Sequence, residues 1–298
     1  MADRADNDRQ VKRVLWTTLW LNLAVAAAKT GYGAWTVSLS LLADGFHSFF
    51  DGTSNVVCLA GLWIAARPPD VTHHYGHRKY EAFASLAISI SLFVTCYHIF
   101  SNAAGRLIHP GASKITVTSW SYVIVLITMA VNTVVMRYER RKGRELKSGI
   151  LLADSTHTQS DLFASLSVMI SLAAAQMGFP GVDPVAAIVI AGLIGRAGYG
   201  ILRESSNILS DHAVIDPEHI RRVALGVNGI REAHEIRTRG MQNHIYVDLR
   251  IHVPPDMKVE EAHTLAHDVE DKIRQSFSGV VDVVVHLEPD ADSALEKK

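Results

Sequence analysis

Long apolar runs separated by short polar breaks fill the chain from about residue 12 to residue 209, and beyond 210 the pattern changes to short alternating segments set among charges. Six of the apolar runs approach the roughly 20 residues that an α-helix needs to cross a hydrocarbon core. They predict helices near 12–34, 38–66, 80–107, 117–138, 147–177 and 184–208. Turn residues separate them: Gly31 and Gly33, Arg67-Pro68-Pro69, Pro110-Gly111, and the stretch from Gly178 to Pro184. In the tail, Asp216-Pro217 opens a short helix to about Leu225, and 231–239 and 244–252 alternate as strands. An amphipathic helix over 259–277 follows, and a β-rich run closes at 280–287. The expected architecture is an α-helical membrane domain with six transmembrane helices over 1–209, then a small α+β domain of order αββαβ over 210–298. A domain of that size buries a thin core, which favours docking on a second copy.

Composition adds little to this division. The net charge of -1 and the lack of a basic stripe with interleaved aromatics give no footprint for a nucleic-acid partner. Cys58 and Cys96 both sit inside apolar runs, so disulfides do not organise the fold. The polar start, MADRADNDRQVKR, has no small-residue cleavage site and is not read as a removable signal peptide. Lys and Arg concentrate in the amino-terminal segment, in the loop after the second helix and in the loop after the fourth, so the positive-inside rule places both termini in the cytoplasm.

Against this apolar background one pattern is spelled twice, as LLADGFHSFFD over 41–51 and LLADSTHTQSD over 151–161. Ionisable residues at bilayer depth are expensive and mark function. His47 and Asp51, like His157 and Asp161, are four residues apart, which on a helix puts each pair on one face about 6 Å apart along the axis. A single His-x-x-x-Asp is more often a side-chain pair than a ligand set, but duplication in two membrane segments reverses that weighting. Two imidazoles and two carboxylates suit a tetrahedral divalent ion, Zn²⁺ before others, and Mn²⁺ is disfavoured because it prefers more oxygen. Asp44 and Asp154 precede each His by three positions, and either orient the imidazoles or carry protons. The loop RPPDVTHHYGHRKYE crowds Asp70, His73, His74 and His77 beside the membrane, again a borderline-metal donor set. The tail carries His234, His244, His252, His263, His267 and His286 with Asp248 and Glu288; His244 and His252 are read as surface residues of alternating strands.

With both motifs on the second and fifth helices, the chain resembles the cation diffusion facilitator family of proton-coupled divalent metal exporters, over nearly its whole length. That resemblance implies a homodimer whose cytoplasmic αββαβ domain is metallochaperone-like, with His47, Asp51, His157 and Asp161 as the transport site. It implies a peripheral metal site at the positions matching Asp70, His73 and His77. At the dimer contact of the cytoplasmic domain it implies metal ligands matching His234, Asp248, His263, His286 and Glu288. Asp248 and Glu288 stand where relatives carry His and Asp, which leaves the number of ions open. Lys79 and Asp211 match positions that pair by charge near the dimer contact.

The expected function is export of Zn²⁺ against protons by alternating access, with Fe²⁺, Co²⁺, Cd²⁺ or Ni²⁺ as other cargoes. No organic cofactor is expected. The compact loops and short tail suggest a bacterial inner membrane. No P-loop for an ATP-driven pump and no H-E-x-x-H of an intramembrane zinc hydrolase is present, so an enzyme is not expected. A metal-sensing membrane scaffold without transport and an intramembrane metalloenzyme are the alternatives from other classes.

Overall fold

The computed structural model describes residues 2–35, 48–49, 52–108, 119–177 and 182–290. They divide into two compact units, Met1–Ser206 and Asn207–Lys298.

Six helices make up the first unit among the described residues: α1 (Ala2–Trp35), α2 (Thr53–Ala65), α3 (Tyr80–Ile108), α4 (Ser119–Glu145), α5 (Gly149–Gln176) and α6 (Val182–Leu209). Its interior holds an apolar core that includes Leu15, Leu62, Ile88 and Ile194, and unlike a water-soluble bundle its exterior is apolar too. Trp20, Trp63, Tyr97, Ile127, Val168 and Val189 point outward from six different helices, while Asn55, Glu139, Asp154 and His157 are buried among them. That distribution suits a hydrocarbon surround, which accepts apolar side chains and leaves polar ones to be satisfied inside. By length and apolarity alone, the spans Tyr80–Ile108 and Pro184–Leu209 meet the requirement for crossing a membrane.

Two helices extend past the predicted apolar runs, and each has a packing reason. α1 begins at Ala2, ten residues before the predicted start, because Val11, Val14 and Leu15 are buried and its first turns are tied to the rest of the unit. Asp8 receives both guanidinium nitrogens of Arg78, at 2.9 and 2.6 Å, and Asn7 Nδ2 donates to the Leu146 carbonyl at 3.0 Å. α1 also continues through Gly31 and Gly33, where the sequence suggested a break. α4 runs to Glu145 rather than 138 because Val135, Glu139 and Gly143, four apart, are all buried, the last two facing α5. At the α2–α3 crossing a Cβ added to Gly61 would stand 2.5 Å from the Ala84 Cβ, so these helices approach at glycine distance.

The second unit contains α7 (Pro217–Leu225), β1 (Glu232–Met241), β2 (His244–Val253), α8 (Val259–Ser276) and β3 (Val280–Pro289), the predicted αββαβ order. Asp216 caps α7 by accepting from the Glu218 amide, and Pro217 fills the first turn, where no N–H is needed. β1 and β2 pair antiparallel, β2 and β3 parallel. Residues 245, 247, 249, 251 and 253 of β2 face Ile220 and Ala224 of α7 and Leu265, Val269 and Ile273 of α8. By the period of two, Asp248, Arg250 and His252 occupy the other, helix-free face. A bulge between His234 and Arg237, with Glu235 at φ 46°, breaks that period in β1 and lets both flanking residues share the open face.

Candidate metal centres

On α5 the helical spacing brings Asp154, His157, Thr158 and Asp161 to one side of the helix. His157 is 7% exposed and Asp161 is half-buried. His157 Nδ1 is buried with no hydrogen-bond partner among the described residues, which calls for an explanation such as a bound ion. Half of the duplicated motif is therefore set inside the unit with an imidazole available. His47, Asp51 and Asp44 lie outside the described residues. Asp154 is 1% exposed and accepts from Asn55 Nδ2 of α2 at 2.5 Å.

Between α2 and α3 the loop folds around the Asp70 carboxylate. Asp70 Oδ1 accepts from the Thr72 amide (2.8 Å), the Thr72 hydroxyl (2.8 Å) and the His73 amide (2.7 Å). Led by the Thr72 hydroxyl, these bonds hold the Asp70 carboxyl far below the usual carboxylate range. Gly76 adopts φ 79°, which a residue with a Cβ rarely takes, and the turn it makes delivers His77 beside His73. Their rings stand 4.2 Å apart, and His73 Nδ1 and His77 Nε2 each lie 3.5 Å from an Asp70 oxygen. His77 is 6% exposed, with Nδ1 buried and unpartnered among the described residues. Two nitrogens and a carboxylate oxygen within 4.8 Å of one another fit a borderline divalent ion. His74 turns away and contacts the Val71 carbonyl at 3.1 Å.

On the open face of the sheet the parallel register sets His252 directly across from Glu288, and His234 is diagonal to His252. Glu288 Oε2 lies 3.2 Å from His234 Nε2 and 3.3 Å from His252 Nε2, and the two rings meet edge to face at 4.7 Å. His234, His252 and Glu288 form the second three-donor group among the described residues. Burial raises the Glu288 carboxyl, but the hydrogen bond and charge of Arg250, at 2.8 Å, outweigh it and hold the carboxyl below its usual range. Reading His252 as a surface residue was wrong: it is 9% exposed, and its ring is walled by Glu232, Glu288 and Asp290.

The other tail residues named by the resemblance are placed differently within one chain. His286 is exposed and 3.6 Å from Glu288, at the edge of the group. Asp248 faces Arg237 and Arg239 at 3.9 and 3.8 Å. His263 lies on the exposed side of α8, with His267 Nε2 at 3.2 Å from its own Nε2. Lys79 is exposed at the head of α3 in the first unit, and Asp211 is exposed just after α6 in the second, at φ 56°.

Glu139 escaped the sequence reading. It is fully buried on α4, accepts from the Thr158 hydroxyl at 3.3 Å, and lies within hydrogen-bonding reach of Asp154. The four-residue repeat of buried positions 135, 139 and 143 is the signal that points to it.

Both units have counterparts among known proteins. Residues 15–210 match the cation efflux transmembrane domain, and residues 214–290 match the cytoplasmic domain of cation efflux proteins. The manganese efflux system protein MneS of Bacillus subtilis is 30% identical over 271 residues, covering 90% of this chain and 91% of the relative. Metal tolerance protein C1 of Arabidopsis thaliana is 29% identical, covering 92% of this chain and 61% of that protein. Magnetosome protein MamB of Magnetospira sp. is 26% identical over 93% and 94% of the two chains. A solved structure of the MamM CTD in its copper form matches at 25% identity and a TM-score of 0.24, covering 26% of this chain and 84% of that one.

Proposed function

The chain belongs to the cation efflux family, integral membrane metal transporters and not enzymes, and from that premise we propose that it exports Zn²⁺ from the cytoplasm in exchange for protons. The observation that carries this reading is the buried His157 Nδ1, without a partner among the described residues, one helical turn from Asp161 and inside a helical unit with an apolar exterior. His47 and Asp51 complete the site in this proposal. Binding needs neutral imidazole and ionised carboxylate, so loading the ion releases protons and protonation on the far side discharges it. Both termini face the cytoplasm, and the membrane is a bacterial plasma membrane. The cytoplasmic domains of two chains pair, Lys79 and Asp211 position the dimer, and metal at Asp70–His73–His77 and at His234–His252–Glu288, with Asp248, His263 and His286 nearby or supplied across the dimer, favours the transport-competent arrangement.

Manganese is the second cargo to test, because the MneS relative is named for manganese efflux. Proteoliposomes with a pH gradient and a pH-sensitive dye separate these readings. Zn²⁺ flux with stoichiometric proton counterflow supports the proposal, Mn²⁺ flux in its place reassigns the cargo, and no flux of Zn²⁺, Mn²⁺, Fe²⁺ or Co²⁺ returns the protein to a metal-sensing scaffold.

A further inference from the structure

One buried polar cluster in the first unit is used by none of the sites above. Glu139 of α4 and Asp154 of α5 are 0% and 1% exposed, lie within hydrogen-bonding reach of one another, and have no Lys or Arg partner among the described residues. Two carboxyl groups in contact inside a protein need a positive ion or a proton between them. The surrounding side chains can accommodate the ion. The Thr158 hydroxyl is in donating range of the Asp154 carbonyl (3.2 Å), and the Thr18 hydroxyl of the Val14 and Leu15 carbonyls (3.2 Å each). Each hydroxyl has one proton; when it goes to a carbonyl of its own helix, in place of the donation from Thr158 to Glu139, both hydroxyls present lone pairs to the pair. Asn55 donates to Asp154 Oδ2 (2.5 Å) and to Thr18 Oγ1 (3.3 Å), while its own oxygen is held by Asn22 Nδ2 at 2.9 Å. This chain of amides fixes the Asp154 carboxyl. Glu139 Oε2 faces Thr158, and Glu139 Oε1 is buried with no hydrogen-bond partner among the described residues.

We propose that Glu139, Asp154, Thr18 and Thr158 form a further cation site, an all-oxygen one that takes a hard divalent ion such as Mn²⁺. Two carboxylates and two hydroxyls are the donor class that suits Mn²⁺ or Mg²⁺, with water completing the shell, and differ from the nitrogen-containing sets described above. The site lies one turn before His157 on α5. If the termini are cytoplasmic, as proposed above, an ion arriving from the cytoplasm meets these oxygens before it meets His157.

The test measures Mn²⁺ binding, by the electron paramagnetic resonance signal of free Mn²⁺, to the full-length protein carrying His157→Ala and Asp161→Ala. The same protein with Glu139→Gln and Asp154→Asn added is expected to bind one Mn²⁺ fewer per chain. An unchanged number overturns the proposal and means that the carboxyls share a proton only. Should the combined variant fail to fold, Mn²⁺-loaded crystals of the unaltered protein decide: an anomalous peak between Glu139 and Asp154 supports the site, and its absence there overturns it. Both readouts are equilibrium binding, so they stand whether or not flux is observed.

Discussion

Replacing His252 with Ala separates a metal-binding open face from an ordinary charged strand. His252 and His234 converge on one oxygen of Glu288, at 3.3 and 3.2 Å, so the variant keeps only two of the three donors. Loss of a mere outer partner of a metal ligand costs about 10–100-fold in affinity. A direct donor lies at or beyond the upper end, so the dissociation constant for Zn²⁺ is expected to rise by about 100-fold or more, which is ~2.8 kcal/mol. His244, at the opposite end of β2, engages Tyr246 at 3.1 Å, and His244→Ala is the control. Its dissociation constant stays within about twofold because distant sites act independently. Calorimetric titration of the full chain, in a background of Asp70→Ala and Asp161→Ala, isolates the tail site. Since protons compete for both imidazoles, affinity in the parent falls as pH falls. Equal affinity in His252→Ala and the parent, with equal thermal midpoints, would refute the reasoning.

Three further outcomes follow from the geometry. Thr72→Val removes the hydroxyl that contributes most to lowering the Asp70 carboxyl, so its NMR titration midpoint is expected to move up toward the ordinary value of 3.8. With the folded value depressed, the carboxylate's contribution to loop order is complete above that ordinary value and is lost as pH falls below it; a midpoint at 3.8 already in the parent contradicts the loop geometry. Gly61→Val pushes against Ala84, where even a bare Cβ meets carbon at 2.5 Å, and is expected to cost about 1–3 kcal/mol in detergent unfolding, partly restored by Ala84→Gly. Ile251→Ala empties a fully buried position beneath the sheet and is expected to cost about 2–5 kcal/mol in urea unfolding, whereas a change under about 1 kcal/mol would show that this residue is not in the core.

Much of this was legible in the chain because periodicity and burial coincide in it. The tail helices and strands lie within two residues of their predicted bounds, since β2 alternates cleanly and Asp216-Pro217 marks a helix start. Crowding in the loop pointed to Asp70, His73, His74 and His77, and the family resemblance to Asp70, His73 and His77, which are the three that the structure brings together. Three features were not legible. His252 looked like any outward residue of a strand, and only the parallel register with β3 and the β1 bulge place Glu288 and His234 around it. Glu139 sits in the basic run MRYERRKGRE, where an acid reads as solvated; long-range packing on α5 buries it. The amino-terminal turns of α1 are polar in sequence and are helical because Asp8 and Asn7 find partners far along the chain.

The central claim is that the His157–Asp161 turn carries the transported ion. Zn²⁺ flux into proteoliposomes under a pH gradient, compared for the unaltered protein and for Asp161→Ala and His157→Ala, tests it most directly. Flux abolished by Asp161→Ala and strongly reduced by His157→Ala, in proteins with unchanged thermal midpoints, is the predicted result; flux that survives in both variants contradicts the account.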